Sequence, residues 1–231
     1  MNGPLSTVSN TSSGVASIVV DTKSVDNQII VTPGANHALT ASHVSEQLKE
    51  IQPSIVLTQL EILLDTALAS LETGKKLGAT TILNPAPVPE SLDGFWEHCD
   101  LVIPNESELR KLCGYEEDAE VDEEVLAKNM LEKGVQTAVV VTLGARGAMV
   151  VAKDAETAFV AAPDELPCKN DPIEDTIGAG DGFCGALASY LAKGLSLTEA
   201  ATLACGFAGM SVRRRGASYP SAKELPDCLR I

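Results

Sequence analysis

The segment Asp175–Asp181, with the sequence DTIGAGD, combines small residues and acids directly before an apolar stretch. Gly178, Ala179 and Gly180 lack bulky side chains, so successive backbone N–H groups can converge on one point where a helix begins. The N-terminal end of a helix carries about half a positive charge, which favours an anion such as a phosphoryl group. The segment therefore predicts an anion hole formed by these small residues.

Asp181 directly follows this predicted anion hole. A carboxylate beside a bound phosphate is electrostatically unfavourable, because the two negative charges repel. An acid at this position is therefore best explained by a chemical role. The role that fits is general base, in which the carboxylate takes the proton of the hydroxyl that attacks phosphorus. The structural alternative is a glycine-rich helix start with Asp181 as a capping residue. The other motifs of the chain decide between these interpretations.

Length and composition restrict the class of protein. A chain of 231 residues with 45% hydrophobic and 21% charged residues fits one globular unit with a sizeable core. We divide it into a polar tail (1–13) and one folded domain (14–231) that opens with a hairpin (14–36). The formal net charge of −15 argues against nucleic-acid and anionic-membrane partners, which need a basic surface. No window approaches about 18 consecutive apolar residues, so no membrane span is expected.

The spacing of the cysteines is informative about compartment. The 6 cysteines are far apart and form no CxxC pair, which fits neither a zinc site nor a small disulfide scaffold. We therefore expect reduced thiols and a cytoplasmic protein, with a nuclear location also compatible. In the run 116–124, seven of nine residues are acidic, which predicts a solvated surface loop before a helix.

Apolar periodicity places the motifs on alternating strands and helices. A first hairpin is predicted over Gly14–Val20 and Gln28–Val31, and a second over Ala148–Val151 and Ala158–Val160. Further strands are predicted at Ile55–Gln59, Thr80–Leu83, Leu101–Ile103 and Ala138–Thr142. Helices are predicted at Ser42–Ile51, Leu63–Leu77, Ser107–Cys113, Glu123–Lys133, Asp181–Lys193 and Leu197–Arg213. Such alternation implies a mainly parallel sheet covered on both faces, with ligands at the carboxyl ends of its strands.

Four motifs together resemble the ribokinase family of sugar kinases, the PfkB carbohydrate kinases. They are Asn84–Pro87 (NPAP), Pro104–Glu108 (PNESE), Thr142–Gly147 (TLGARG) and Asp175–Asp181. The last is highly specific for the family, and the resemblance extends over about residues 14–226. It implies an α/β fold, a three-layer sandwich with a mainly parallel sheet and a small hairpin lid. It also implies ATP-dependent phosphorylation of D-ribose, with another small sugar or a nucleoside as the alternative acceptor.

Asn105 and Glu108 lie three residues apart on an opening helical turn, so both side chains can face one spot. The structural alternative is an Asn cap followed by an acidic first turn. The resemblance implies that Glu108 orients waters around Mg²⁺ and that Glu61 binds the sugar together with Asp181. The nucleotide-binding residues that it implies are Asn105, Thr142, Leu143, Gly144, Ala145, Arg146, Gly147, Gly180, Asp181 and Cys205.

The resemblance further implies a monovalent cation, K⁺, bound beside the anion hole largely through carbonyl oxygens. The matching positions are Asp175, Ile177, Ser211, Arg214, Gly216 and, where the match loses its register, Ser218. At Cys205 the family often has a polar residue that faces the adenine, so this position departs from the pattern.

One family segment has no counterpart in this sequence. Members of the family begin with the first strands of the sheet, an early Asp and a Gly-Gly-Lys-Gly-Ala-Asn loop that grips the sugar, whereas residues 1–13 resemble none of these. We therefore expect the hairpin at 14–36 to be a lid without its partner strands. We also expect the native protein to be longer and a homodimer through the lid. The alternative is a non-catalytic fragment that binds nucleotide.

Overall fold

The computed structural model describes residues 7–20, 27–116 and 119–230. Within these ranges the strands form a two-stranded sheet and a six-stranded sheet. The smaller sheet is an antiparallel hairpin of β1 (Val15–Val20) and β2 (Asn27–Thr32). It confirms the first predicted hairpin. Residues 21–26, between the two predicted strands, and residues 1–6 of the predicted tail lie outside the described residues.

The larger sheet has the strand order β3-β4-β5-β6-β7-β8. Its strands are β3 (Ile55–Thr58), β4 (Thr80–Leu83), β5 (Leu101–Val102), β6 (Ala138–Thr142), β7 (Ala148–Ala152) and β8 (Ala158–Val160). Neighbours from β3 to β6 pair in parallel, and β7 pairs antiparallel with both β6 and β8. The sheet is therefore mainly parallel, and β7 and β8 form the second predicted hairpin.

The helices are α1 (Ala41–Ile51), α2 (Leu64–Lys76), α3 (Glu106–Leu112), α4 (Glu123–Glu132), α5 (Ala179–Ala192) and α6 (Leu197–Ser211). Two helix ends differ from prediction by two residues: α6 ends at Ser211 rather than at Arg213, and α5 begins at Ala179 rather than at Asp181 because Gly178 caps it in a left-handed conformation (φ 75°). Asp181 is therefore in the first helical turn, where the helix dipole favours an acid. None of the helices within the described ranges is long and apolar enough to cross a membrane.

Alternate residues of the central strands enter two separate cores. Val139 belongs to one buried cluster together with Leu71 of α2 and Leu126 of α4. Its neighbour Val140 belongs to a second cluster together with Leu187 of α5. Successive strand side chains point to opposite faces of a sheet, so β6 carries both cores. The result is the predicted three-layer sandwich, in which α2, α3 and α4 cover one face and α5 and α6 the other.

Residues 116, 120 and 122 of the acidic run are exposed, as predicted, and an arginine of α3 holds another part of the run. Arg110 donates from Nε to the Ala119 carbonyl oxygen at 3.0 Å and from Nη2 to Glu123 Oε1 at 3.0 Å. The Glu123 side chain is only 23% exposed. One cation from α3 therefore neutralises part of the run and fixes it against the helix. Residues 117 and 118 of the run lie outside the described residues.

Candidate active site

The carboxyl ends of three neighbouring strands are tied together by hydrogen bonds. Thr142 at the end of β6 forms a parallel bridge with Asn105, and its N–H donates to the Pro104 carbonyl oxygen at 2.9 Å. Asn84, directly after β4, donates from Nδ2 to the Ile103 carbonyl oxygen at 2.9 Å. These bonds hold three of the sequence motifs at one edge of the sheet.

Asn105 and Glu108 form a capping box at the start of α3. Asn105 Oδ1 accepts the Glu108 N–H at 2.8 Å, and Glu108 Oε2 accepts the Asn105 N–H at 2.8 Å. Ser107 also donates its hydroxyl to Asn105 Oδ1 at 3.0 Å. The structural alternative for this pair is therefore present in the fold. Among the described residues, Asn105 Nδ2 and Glu108 Oε1 have no hydrogen-bond partner, so both atoms are open to a ligand.

The start of α5 brings the predicted anion hole to the same place. A cavity of about 140 Å³ lies between the strand ends and α5. It is lined by Asn84, Ala86, Ile103, Asn105, Glu108, Thr142, Gly178, Gly180, Asp181 and Cys184. The structure thus brings the predicted anion-hole glycines, the predicted base and the predicted Mg²⁺ residue into one cavity.

The open backbone donors at the start of α5 differ slightly from the predicted set. The Ala179 N–H donates to the Thr176 carbonyl oxygen at 3.2 Å, and the Gly182 N–H donates to the Gly178 carbonyl oxygen at 2.9 Å. Within the described part of the chain, the N–H groups of Gly178, Gly180 and Asp181 have no acceptor. Of the predicted set, only Ala179 is therefore engaged. The first N–H groups of a helix lack partners inside the helix, so Gly180 and Asp181, together with the capping Gly178, are donors that an anion can use.

Two carboxylates concentrate negative charge in the cavity. Burial raises the pKa of Glu108; the hydrogen bond from the Asn105 N–H opposes this shift, and the negative charge of Asp181 adds to it. A cation would relieve this repulsion. The oxygen donors fit Mg²⁺, which is commonly bound by one or two carboxylates together with substrate phosphates. Among the described residues, no group of three or more His, Cys, Asp or Glu side chains could hold a metal ion.

The loop Thr142–Gly147 has glycine at two positions where the backbone adopts positive φ angles. Gly144 and Gly147 have φ angles of 55° and 91°. A Cβ at Gly147 would lie 2.0 Å from the Val160 carbonyl oxygen, so the contact with β8 also requires glycine. Leu143 is buried, whereas residues 144–146 are exposed. Of the six predicted nucleotide residues in this loop, only Thr142 lines the cavity.

Arg146 of the same loop is engaged by carboxylates. Its guanidinium forms ion pairs with Glu106 at the start of α3 and, at 3.9 Å, with Glu123 at the start of α4. These pairs hold the loop against both helices. The exposed backbone of the loop, rather than this side chain, is then free to meet a ligand.

Glu61 and Cys205 do not line the cavity. Glu61 is exposed just beyond β3, and its N–H donates to the Gln59 side chain. Cys205 is buried in the core between α5, α6 and the sheet, where its Sγ donates to the Val160 carbonyl oxygen at 3.9 Å. Burial raises the pKa of the Cys205 thiol to about 12. The thiol thus lies in the core next to Val160, the last residue of β8, whose carbonyl oxygen is also close to Gly147. It is not among the polar residues that line the cavity.

The positions matched to a monovalent cation lie on two segments, with Asp175 and Ile177 on one and Ser211, Arg214, Gly216 and Ser218 on the other. Asp175 joins these segments: Oδ1 accepts the Ile177 N–H and Oδ2 accepts the Gly216 N–H, both at 2.9 Å. These bonds lower the pKa of Asp175, so the carboxylate is ionised at neutral pH. An ionised carboxylate is a ligand type that fits a hard cation, although the hydrogen-bond partners of both oxygens here are backbone N–H groups.

Tyr219 is a site residue that no sequence motif indicated. Its Oη donates to the Gly178 carbonyl oxygen at 3.0 Å, and its ring stacks on Phe207 with the ring centroids 6.2 Å apart. Tyr219 follows Gly216 in the stretch where the family resemblance loses its register, so only the three-dimensional structure reveals it.

The fold and the grouping of motifs are those of a carbohydrate kinase, and comparison with known proteins agrees. Residues 4–224 match the family described as pfkB family carbohydrate kinase. The chain belongs to this family, and it is a kinase by class. The resemblance and the α/β fold deduced from the sequence are thereby confirmed.

Individual relatives share a quarter to a third of the sequence. The chain is 35% identical to the deoxyribokinase of Salmonella typhi over 227 residues, which are 96% of this chain and 71% of that protein. It is 32% identical to the ribokinase of Schizosaccharomyces pombe over 228 residues, which are 97% of this chain and 68% of that protein. The structure of Arabidopsis thaliana ribokinase complexed with ribose and ATP is similar with a TM-score of 0.80 at 25% identity, covering 96% of this chain and 70% of that chain.

Proposed function

We propose that this protein transfers the γ-phosphoryl group of ATP to the 5-hydroxyl of D-ribose, giving D-ribose 5-phosphate and ADP. The observation that carries the proposal is the single cavity in which Asp181 lies beside the open start of α5, with Asn105 and Glu108 in the same lining. Similarity supports the acceptor and the donor, because one relative is a ribokinase and one similar structure is a ribokinase complexed with ribose and ATP.

In the proposed reaction, Asp181 takes the proton of the sugar hydroxyl while the hydroxyl oxygen bonds to the γ-phosphorus. The bond from that phosphorus to the oxygen bridging to the β-phosphate breaks, and ADP leaves. The N–H groups of Gly180 and Asp181 at the positive end of α5 stabilise the negative charge on the transferring group. Phosphoryl transfer depends chiefly on such positioning and charge stabilisation, which these residues can supply.

The remaining site residues support this step. We propose that Asn105 contacts the phosphates of the nucleotide and that Glu61 binds the sugar. The backbone of 142–147 would lie along the nucleotide, and Cys205 would lie on the core side of this nucleotide site. Glu108 would hold the waters of Mg²⁺, and the chemistry that this ion supplies when bound is neutralisation of phosphate charge. K⁺ would lie where Asp175 joins the two segments, beside the start of α5.

A second candidate acceptor is 2-deoxy-D-ribose, because a relative at 35% identity is a deoxyribokinase. ADP release measured with ribose, 2-deoxyribose, fructose and a nucleoside separates the acceptors. Ribose-dependent release that is lost in Asp181→Asn supports the proposal, and a loss of roughly 10²- to 10⁴-fold is the size expected for a general base. Greater turnover with another acceptor would show that the sugar is misassigned. ATP binding by calorimetry without turnover on any sugar would show a non-catalytic nucleotide-binding protein.

We further propose that the β1–β2 hairpin is a lid and a contact with a second copy of the chain. Val15 and Ile30 share one face of this hairpin and are 59% and 65% exposed, and a partner would cover them. Sedimentation of the wild-type protein and of Ile30→Lys tests this, since a dimer should dissociate in the variant. The 6 cysteines are free thiols, which supports a reducing, cytoplasmic location.

A further inference from the structure

We infer that Tyr219 is a positioning residue that fixes the start of α5, an inference that rests on the proposed function for its catalytic consequence. Tyr219 Oη donates to the Gly178 carbonyl oxygen at 3.0 Å. The same oxygen accepts the Gly182 N–H at 2.9 Å, which begins the hydrogen-bond ladder of α5. One carbonyl group therefore joins the tyrosine to both the loop and the helix that carry the open donors.

The tyrosine ring fits only because glycines face it. A Cβ at Gly182 would lie 3.0 Å from Tyr219 Cε1, and a Cβ at Gly178 would lie 2.6 Å from Tyr219 Oη. Phe207 of α6 stacks on the ring with an angle of 20° between the two planes. The ring thus lies against both α5 and α6 with 39% of the residue exposed, and its hydroxyl reaches the Gly178 carbonyl oxygen.

A second contact ties the same C-terminal turn to the motif. Asp175 Oδ2 accepts the Gly216 N–H at 2.9 Å, so the turn 216–219 holds the segment 175–178 at both of its ends. The open N–H groups of Gly180 and Asp181 follow directly after this segment. A shift of the Gly178 peptide would therefore change the direction of both donors and of the Asp181 carboxylate.

The phenol is suited to act as a permanent donor. Burial raises the pKa of Tyr219, and the negative charge of Asp181 raises it further. The hydroxyl therefore stays protonated at neutral and mildly alkaline pH. Since a carbonyl oxygen can only accept, the contact with Gly178 requires this protonated form.

Tyr219→Phe tests the inference because it keeps the ring and removes only the hydrogen bond. We expect kcat to fall about 3- to 10-fold, with KM for ATP and for the sugar within twofold of wild type. We also expect faster hydrogen–deuterium exchange at the amides of residues 180–182. Tyr115→Phe, at a 44% exposed tyrosine just beyond α3, is the matched control and should change neither quantity. Unchanged kcat and unchanged exchange in Tyr219→Phe would overturn the inference.

Gly182→Ala supplies a second, independent perturbation, since its methyl group would press on the tyrosine ring. If Gly182 acts through the Tyr219 contact, the double variant should lose less activity than the product of the two single losses. Independent, multiplicative losses would contradict the inference. The exchange measurement needs no turnover, so it also separates two failures. A wild-type protein without sugar-dependent turnover would refute the proposed function, whereas exchange in Tyr219→Phe would still decide the positioning contact.

Discussion

Asn105 serves the fold as a helix cap and the proposed reaction as a phosphate contact, and Asn105→Asp separates the two. An aspartate keeps the oxygen that accepts the Glu108 N–H, which lies 2.8 Å from Asn105 Oδ1. Asp and Asn are equally good N-cap residues, so the free energy of unfolding should stay within about 1 kcal/mol of wild type. Asn105→Ala removes the cap and should cost about 0.5–2 kcal/mol.

We expect Asn105→Asp to be the more stable of the two variants but the less active one. The new carboxylate would join Glu108 and Asp181 in the lining of the cavity and face the phosphates. Two unit charges about 4 Å apart repel by roughly 4 kcal/mol at an effective dielectric constant of about 20. Asn105 is exposed, so water screens part of this repulsion. About half of it, roughly 2 kcal/mol, still corresponds to a fall of about 30-fold in kcat/KM for ATP.

The assay is ADP release at saturating sugar and varied ATP, together with thermal unfolding of each variant. Ser107→Ala is the matched control, because Ser107 donates to the same Asn105 Oδ1 but does not line the cavity. It should keep kcat/KM within about twofold, since only one exposed hydrogen bond is lost. If Asn105→Asp keeps kcat/KM within threefold of wild type, Asn105 is a helix cap and the assigned phosphate contact is wrong.

Three further experiments test the anion hole, the buried thiols and the ion pair between Arg214 and Glu224. Gly180→Val should lower turnover by on the order of 10²- to 10³-fold, because a branched side chain blocks the backbone donor. Gly185→Val on the same helix, where a Cβ also meets no atom within 4 Å, is the control, and equal turnover in both variants would contradict the anion-hole assignment. Burial raises the pKa of three thiols to about 12, those of Cys99, Cys184 and Cys205. Cys113, Cys168 and Cys228 are only partly buried, so native protein at pH 8 should be alkylated there first, and most slowly of the three at Cys113, where burial also raises the pKa of the thiol. Early labelling of Cys184, detected by mass spectrometry, would disprove this. Hydrogen bonds from Ser221, ahead of the bond from Arg214, lower the pKa of Glu224 from 4.5 to about 2. The stabilisation is thus complete above pH 4.5 and lost as pH falls towards 2, so the difference in Tm between wild type and Glu224→Gln should shrink over that range.

Local sequence patterns were sufficient for the elements and for most of the candidate site. The continuous apolar run Ala138–Thr142 predicted a strand buried on both faces, and β6 is that strand. The spacing of Asn105 and Glu108 predicted that the two side chains share one spot, and the capping box brings them together. Because the carboxyl ends of parallel strands meet at one edge of a sheet, motifs distant in sequence could be expected to converge there.

Contacts between distant residues were beyond the reach of these patterns. Arg146 pairs with Glu106 across 40 residues, and Tyr219 donates to Gly178 across 41. Both pairs depend on how a loop packs against a helix, which neither periodicity nor composition encodes. The start of α5 at Ala179 has the same origin, since it follows from the left-handed conformation that Gly178 adopts beneath the tyrosine.

The glycines of the helix-entry motif separate into two kinds. Gly178 has a φ angle of 75° and a Cβ there would lie 2.6 Å from Tyr219 Oη, so the fold itself favours glycine at this position. A Cβ at Gly182 would lie 3.0 Å from Tyr219 Cε1, a tight contact that the ring must yield to. Gly180 has no such reason: its φ is not left-handed and a Cβ would meet nothing within 4 Å. Glycine in a helix costs about 0.5–1 kcal/mol relative to alanine, so folding alone would favour another residue. A Cβ also meets no atom at Gly185, five residues further along α5, so open space around a glycine does not by itself identify a ligand. Gly180 differs from Gly185 because it lines the cavity and its backbone N–H has no acceptor among the described residues, which supports the placement of the phosphoryl group at the start of α5.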